Sequence, residues 1–469
     1  MTTPSTNQQH PLTQQDLALR YTGKLLLRSE IDLDDDNFQR SNFSPIPSII
    51  RRNFLFICQR CGNQKRSLFA KIPCQSCHQT HLYCRNCIEM GRVMECTPLY
   101  FWSGESPNWP QHQRPCSWTG TLTEVQQHAS YKIVQAVLTA QPELLVWAVC
   151  GAGKTEMLFA GITKALQLGK RICIATPRAD VVRELLPRMK QAFSDITIQG
   201  LYGGAENKDG TAQLLIATTH QLLRFQEAFD VLIIDEIDAF PFHNDPSLLF
   251  ASKRARKKLH TTIYLTATPR QEHRVQIDRN KLPHVFVPTR YHGHPLPIPT
   301  LSMCFSLRKD LKKKNPPARF VRWISKRGNP ARQMLIFVPT IGLAEEMTPI
   351  IANLLLSFGI VTQQSEVTSV HSEDPNREAK IKSFRKKHLR VLLTTTILER
   401  GVTFPSVDVA VLDAGHTVFD EAALVQIAGR AGRSSDDPTG EVIFFHDGKT
   451  DAIVHAIRSI KQMNSRGGF

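Results

Sequence analysis

Between residues 144 and 269 the chain carries a succession of short, unbroken apolar runs, each ending on small, hydroxylated or acidic residues. Residues 144–149, 171–176, 214–219, 231–236 and 262–268 are those runs, and amphipathic segments separate them. A strand that is apolar at every position, rather than at alternate ones, is buried on both faces. Strands of that kind belong to parallel sheets covered by helices on either side. The pattern returns at 334–338, 391–395 and 409–413. The expected fold class is α/β, with two tandem parallel-sheet domains, although no sequence repeat relates them.

A chain of 469 residues is long enough for about two or three domains with cores of their own. Its formal net charge of +16 favours a polyanionic partner, most simply DNA or RNA. A basic enzyme that never meets nucleic acid is the plainer alternative. No stretch approaches the roughly 18 consecutive apolar residues of a membrane helix. The segment from Met1 to Asp16 is rich in Thr, Gln and Pro and lacks the apolar centre of a signal peptide. A cytoplasmic protein is expected, touching a membrane only peripherally or through a partner.

The order of these segments suggests the following organisation. Residues 1–50 read as a polar, mobile or loosely packed N-terminal arm with an acidic run at Asp32, Asp34, Asp35 and Asp36. Residues 51–118 form a small cysteine-rich module, and 119–287 the first α/β domain. The Pro-, His- and Gly-rich stretch 288–299 reads as a linker, because proline stiffens extended chain and ends helices. Residues 300–469 form the second α/β domain.

The run at 144–149 leads directly into Cys150-Gly151-Ala152-Gly153-Lys154-Thr155. A glycine-rich turn between a strand and a helix presents backbone N–H groups to phosphates. Gly151, Ala152 and Gly153 would cradle them, Lys154 would pair with the β/γ-phosphates of ATP, and Thr155 would ligate Mg²⁺. The longer Gly-x-x-x-x-Gly-Lys-Thr pattern is broken by Ala148. Asp235-Glu236-Ile237-Asp238 ends another apolar run, where ligands of a parallel sheet bind. Asp235 would help hold Mg²⁺, and Glu236 would activate the attacking water. In the second half, Gln426, Arg430 and Arg433 are expected on one helix, with both arginines stabilising charge on the transferring phosphate. A strand-end acidic turn and a solvated basic helix are the bland readings of these last two segments.

Eleven cysteines are present, eight of them between Cys58 and Cys116. Cys58/Cys61, Cys74/Cys77 and Cys84/Cys87 share the Cys-x-x-Cys spacing that fits knuckles around tetrahedral Zn²⁺. Cys58, Cys61, Cys84 and Cys87 are the preferred zinc ligands. Cys74 and Cys77 would either replace one of those pairs or hold a second ion with His78 or His81, Cys96 or Cys116. Free buried thiols or redox pairs are the alternative for the whole cluster. Basic tracts at 253–258, 308–314 and 385–390 are candidates for sequence-independent phosphate contacts, or simply solvated helix faces.

Taken in order, these motifs resemble the two RecA-like domains of superfamily 2 helicases of the DEAD/DEAH-like kind over roughly residues 120–440. The resemblance implies that Leu122-Thr123-Glu124-Val125-Gln126 reads adenine through Gln126. It also implies strand binding by Thr176-Pro177-Arg178, by Thr218-Thr219-His220-Gln221, and by 394–402 in the second domain, while Thr266-Ala267-Thr268 connects ATP to the opposite lobe. The Gln426–Arg433 segment is closer to PriA-like DNA helicases. Tyr83-Cys84-Arg85-Asn86-Cys87, Met90-Gly91-Arg92-Val93, Arg290-Tyr291-His292-Gly293-His294-Pro295 and Leu424-Val425-Gln426 narrow the likeness to the ComFA family of late-competence ATPases. That likeness implies a four-cysteine zinc site and an ATP-dependent translocase or helicase on single-stranded DNA. Such a motor would sit at the inner membrane face during transformation, with the uptake channel, other competence proteins and a second copy of itself as partners. A PriA-like replication-restart helicase, an RNA helicase, or a zinc-dependent DNA-binding adaptor with a vestigial ATPase are the competing readings.

Overall fold

A computed structural model of the chain describes residues 13–53, 55–206 and 209–469. Contacts divide it into two compact units. One comprises residues 1–119, 131–144 and 159–264; the other comprises 120–130, 145–158 and 265–469.

From Thr13 onward, residues 1–50 are no loose arm; the part before Thr13 lies outside the described residues. Thr13 caps the helix Gln14–Tyr21 through a reciprocal exchange with Asp16, whose N–H donates to Thr13 Oγ1 at 3.2 Å. The acidic run that suggested disorder is partly a second cap: Asp34 accepts from the N–H of Asn37 at 2.7 Å. Leu17, Tyr21, Leu26, Ile31, Phe38 and Trp102 form a core. Phe43 packs against it, stacked 5.3 Å from Phe38 and edge-on to Trp102. The strands Leu25–Leu27, Leu99–Trp102 and Phe43–Ile46 pair antiparallel, so the start of the chain and the end of the cysteine-rich segment share one sheet. Widely spaced apolar residues can build such a core only when distant strands pair, which local composition does not reveal.

Arginines join this module to the rest of its unit. Glu30 Oε1 accepts from Arg60 Nη2 at 2.8 Å and from Arg224 Nε at 3.0 Å. Arg254 donates to the carbonyls of Leu223 (2.7 Å), Phe225 (3.0 Å) and Gln59 (2.7 Å), and also to Arg60 O. The basic tract 253–258 is therefore partly engaged within the protein: Arg256 pairs with Glu143 and Lys257 with Asp230, while Lys253 and Lys258 stay exposed.

The first parallel sheet has seven strands, in the order Ile198–Leu201, Leu214–Thr218, Ile172–Thr176, Phe229–Asp235, Arg256–Thr266, Glu143–Ala148, His284–Val287. Ile172–Thr176 is buried throughout and runs parallel to both its neighbours. The second sheet has six, in the order Thr300–Met303, Val442–His446, Val407–Leu412, Gln333–Phe337, Val391–Thr394, Val367–Val370, all paired in parallel. Both are RecA-like. No helix among the described residues is long and apolar enough to cross a membrane.

The Arg60 side chain is fully buried, and Glu30 is its acidic partner. Glu30→Ala should therefore destabilise the N-terminal module by roughly 3–5 kcal/mol, by stranding a buried charge. Hydrogen exchange across residues 58–63 and 219–224 should accelerate together in that variant; unchanged exchange would mean that the module is held by other contacts.

Candidate nucleotide site and cysteine cluster

The strand Glu143–Ala148 delivers the glycine turn, and the helix Lys154–Gln167 begins where the turn ends. Ala148 is the last strand residue, paired with Val287 and fully buried. It lies inside the sheet rather than in the turn, which explains why glycine is not needed there. Gly151 and Gly153 both take left-handed backbone, with φ of +82° and +71°. At Gly153 a Cβ would also come within 2.5 Å of Gln126 Nε2. Gln126 is buried, donates from Nε2 to Ala152 O at 2.8 Å, and accepts from Thr123 N–H at 2.8 Å. It thus braces the turn from behind, a role not contained in its expected reading of adenine. Lys154 and Thr155 open the helix half-exposed. A glycine turn leading into a helix N-terminus, its N–H groups and a lysine make up the chemistry that ATP phosphates require, so the residues fit that ligand.

In the same unit, helix Glu421–Ala428 carries Gln426, whose Oε1 accepts from Cys150 Sγ at 3.0 Å. Its Nε2 is buried with no hydrogen-bond partner among the described residues. Arg430 and Arg433 are not on this helix, contrary to expectation. The helix stops at Ala428, and the chain turns through Gly429 and Gly432, the latter at φ +62°. The two arginines then part. Arg430 is buried, donating from Nε to Glu399 O at 2.9 Å and from Nη1 to Val402 O. Arg433 stays partly exposed, with Nε on Gly429 O at 2.9 Å.

The stretch read as a linker supplies a residue that sequence reasoning missed. Arg290 is 1% exposed and reaches Ala431 O at 2.9 Å and Gly432 O. Beside it, Tyr291 N–H donates to Gly151 O at 3.0 Å, and a His292 ring nitrogen lies 3.2 Å from Gly432 O. Burial pushes the Arg290 guanidinium down to about 10, which leaves it charged at neutral pH. Residues 290–292 therefore tie the glycine turn to the arginine turn. The signal was present in Arg290-Tyr291-His292, but its Pro- and Gly-rich surroundings read as linker.

Asp235 ends the strand Phe229–Asp235 in the other unit, and Glu236 follows in left-handed backbone at φ +56°. Both are half-buried, while Asp238 is fully buried.

Cys58, Cys61, Cys84 and Cys87 are all buried, with their sulfurs within 4.8 Å of one another. The Cys58–Cys87 and Cys61–Cys84 sulfur separations are 3.8 and 3.6 Å. Disulfides would require about 2.05 Å, whereas four thiolates about 2.3 Å from a central Zn²⁺ stand about 3.8 Å apart. Hydrogen bonds from Cys58 and its neighbours hold the Cys61 thiol well below its ordinary range. The donor set fits zinc. Cys74 and Cys77 replace neither pair; they gather with Cys96 in a separate group.

Residues 8–101 match the model of the competence protein ComFA N-terminal domain. Residues 119–271 match that of the type III restriction enzyme res subunit, and 318–435 the helicase conserved C-terminal domain. Competence protein ComFA of Bacillus subtilis (strain 168) is 42% identical over 444 residues, covering 94% of this chain and 93% of the relative. The chain belongs to the ComFA family. A second ComFA, from Streptococcus pneumoniae, is 36% identical across 96% of this chain and 99% of its own length. Among solved structures, Mycobacterium smegmatis helicase Lhr bound to ssDNA and AMP-PNP superposes with a TM-score of 0.52 at 16% identity, covering 74% of this chain and 50% of that one. S. cerevisiae Dbp5 bound to RNA and ADP BeF3 gives 0.50 at 18%, covering 73% and 91%. These agree with the helicase fold.

In this ComFA chain, both cysteine groups fall within the N-terminal match. Gln126, Lys154, Asp235 and Glu236 lie in the second matched segment, and Gln426, Arg430 and Arg433 in the third. Gly153→Ala combines an unfavourable backbone with a collision against Gln126. It should weaken binding of a fluorescent ATP analogue by at least about tenfold while leaving far-UV circular dichroism unchanged. Unaltered affinity would show that this turn does not hold the nucleotide.

Proposed function

We propose that this chain is an ATP-driven translocase on single-stranded DNA that powers DNA uptake during transformation. The observation that carries the reading is the tie between the glycine turn and the arginine turn through Cys150, Gln426 and Arg290. Membership of the ComFA family directs that motor to competence. The net charge of +16 suits a polyanionic track.

In this reading Lys154 and the N–H groups of 151–155 hold the ATP phosphates. Glu236 accepts the proton of the attacking water as oxygen bonds to the γ-phosphorus and the bond to ADP breaks. Arg433 neutralises charge gathering on the transferring phosphoryl group. Arg430, fixed on the carbonyls of Glu399 and Val402, supports the turn rather than the phosphate. Mg²⁺, held by Thr155 and Asp235, supplies positive charge to the phosphates when bound. Zn²⁺ at Cys58, Cys61, Cys84 and Cys87 stabilises the N-terminal module without entering the chemistry. DNA contacts come from the turns after strands, at Thr176-Pro177-Arg178 and Thr218-Thr219-His220-Gln221, and in the second domain at 394–402. Docking at the inner face of the membrane falls to partner proteins of the uptake channel.

Single-stranded DNA should stimulate ATP hydrolysis more than forked DNA or RNA does, and added salt should weaken the stimulation. Lys154→Ala should reduce hydrolysis to background. Arg433→Ala should lower kcat by about a thousandfold with little change in ATP affinity. Equal stimulation by RNA would redirect the proposal to an RNA motor, and near-normal turnover in Lys154→Ala would remove the site.

A further inference from the structure

The second cysteine group has the backbone of a metal knuckle. In the buried cluster, Cys58 N–H donates to Asn63 O at 3.0 Å, and Gly62 N–H returns to Cys58 O at 2.8 Å. Gly62, directly after the second cysteine, is left-handed at φ +69°. The turn from Cys74 to Gln79 repeats this bond for bond. Cys74 N–H donates to Gln79 O at 2.8 Å, and His78 N–H returns to Cys74 O at 3.0 Å. His78, directly after Cys77, is left-handed at φ +57°. A non-glycine residue adopts that conformation uncommonly, so its recurrence at the matching position is a specific likeness. The knuckle turns the backbone so that both sulfurs of a Cys-x-x-Cys pair point to one centre.

A third sulfur meets them. Cys74, Cys77 and Cys96 have their sulfurs within 4.8 Å of one another, and all three thiols are free. Cys96 comes from the loop after the strand Val93–Met94, while Cys74 and Cys77 occupy the turn between Phe69–Pro73 and Thr80–Cys84. A nitrogen donor stands beside them, with His81 Nε2 3.0 Å from Cys77 Sγ. The other ring nitrogen of His81 faces Glu95 Oε2 at 4.0 Å, an arrangement that leaves Nε2 turned toward Cys77.

We infer that Cys74, Cys77 and Cys96 form a second Zn²⁺ site separate from the buried four-cysteine cluster, with His81, which stands beside Cys77, turning in as the fourth donor when the ion binds. Three thiolates and an imidazole are a zinc donor set, and soft sulfur ligands select zinc over the harder divalent ions. This group lies nearer the surface than the buried cluster: Cys77 is exposed, and Cys74 and Cys96 are half-buried. The ion would staple the exposed hairpin turn to the loop at Cys96 and exchange faster than the buried one. The inference does not depend on the buried cluster holding zinc.

The test is metal analysis of full-length protein purified under reducing conditions, with zinc release to a chelator followed in time. Wild type should carry about two zinc ions per chain and release them in a fast and a slow phase. Cys74→Ser and Cys96→Ser should each retain about one ion and lose the fast phase. Both substitutions lie outside the buried core, and hydrogen exchange at residues 58–63 should be unchanged. In Co²⁺-substituted protein, His81→Ala should shift the visible ligand-field bands of the fast site. One ion in wild type, retained in full by Cys74→Ser and Cys96→Ser, would overturn the second site, as would a disulfide among these three cysteines in the freshly reduced protein. One ion that is lost in Cys96→Ser but kept in Cys84→Ser would support this site and refute the buried one.

Discussion

Parallel pairing of strands buried on both faces is the constraint from which the rest of the structure follows. Ile172–Thr176 admits no polar side chain before its last residue, and neither does Leu214–Thr218. Chemistry is therefore expelled to the ends of strands, and parallel registration places those ends along one edge of the sheet. Thr176 pairs with Thr218 in register, so two of the segments expected to grip nucleic acid emerge side by side. The second sheet repeats the rule: Val370 pairs with Thr394, and the polar segment 394–402 leaves from that end.

Buried arginines then fix the loops that the sheets leave free. Arg60, Arg171, Arg290 and Arg430 are among the largest fully buried side chains. Taking a guanidinium out of water is costly, and each is compensated by carbonyl or carboxylate acceptors at a place where irregular chain must hold one shape. Arg171 reaches Gly210 O at 2.6 Å. Arg290 and Arg430 hold the two ends of the turn that carries Arg433, one through Ala431 and Gly432, the other through Glu399 and Val402. The positive charge of this chain is thus partly internal scaffolding. Net charge alone overstates the basic surface left for a polyanion, as these four buried arginines illustrate.

What could be read from the sequence follows the same division. Periodicity reports burial, so the apolar strands appeared at nearly their observed positions, and the residues at their ends could be named as chemical candidates. The N-terminal fold was hidden because its core draws on Leu17, Phe38 and Trp102, whose proximity depends on pairing Leu25–Leu27 with Leu99–Trp102. The separation of Arg430 from Arg433 was hidden because their spacing suits a helix, whereas the glycines at 429 and 432 end it. Arg290 was hidden because proline and glycine around it describe a flexible composition, while its contacts are set by residues more than a hundred positions away. Spacing named the cysteine pairs, but only the returning chain at Cys96 separates the two groups.

One carboxylate links the cysteine module to the helical turn that follows the strand Leu214–Thr218. Glu30 accepts from Arg60, inside the Cys58-x-x-Cys61 knuckle, and from Arg224, which ends the helical turn Thr219–Arg224. Arg224 also holds Gln221 Oε1 at 3.1 Å, within the segment expected to contact a strand. Arg254 reinforces the connection by binding carbonyls of the knuckle at Gln59 and of the turn at Leu223. Glu30 thus ties the shape of the knuckle at Arg60 to the position of Arg224 and, through it, of Gln221. The module is therefore placed to set the geometry of that turn, and a metal held at its cysteines would act there through position rather than through chemistry.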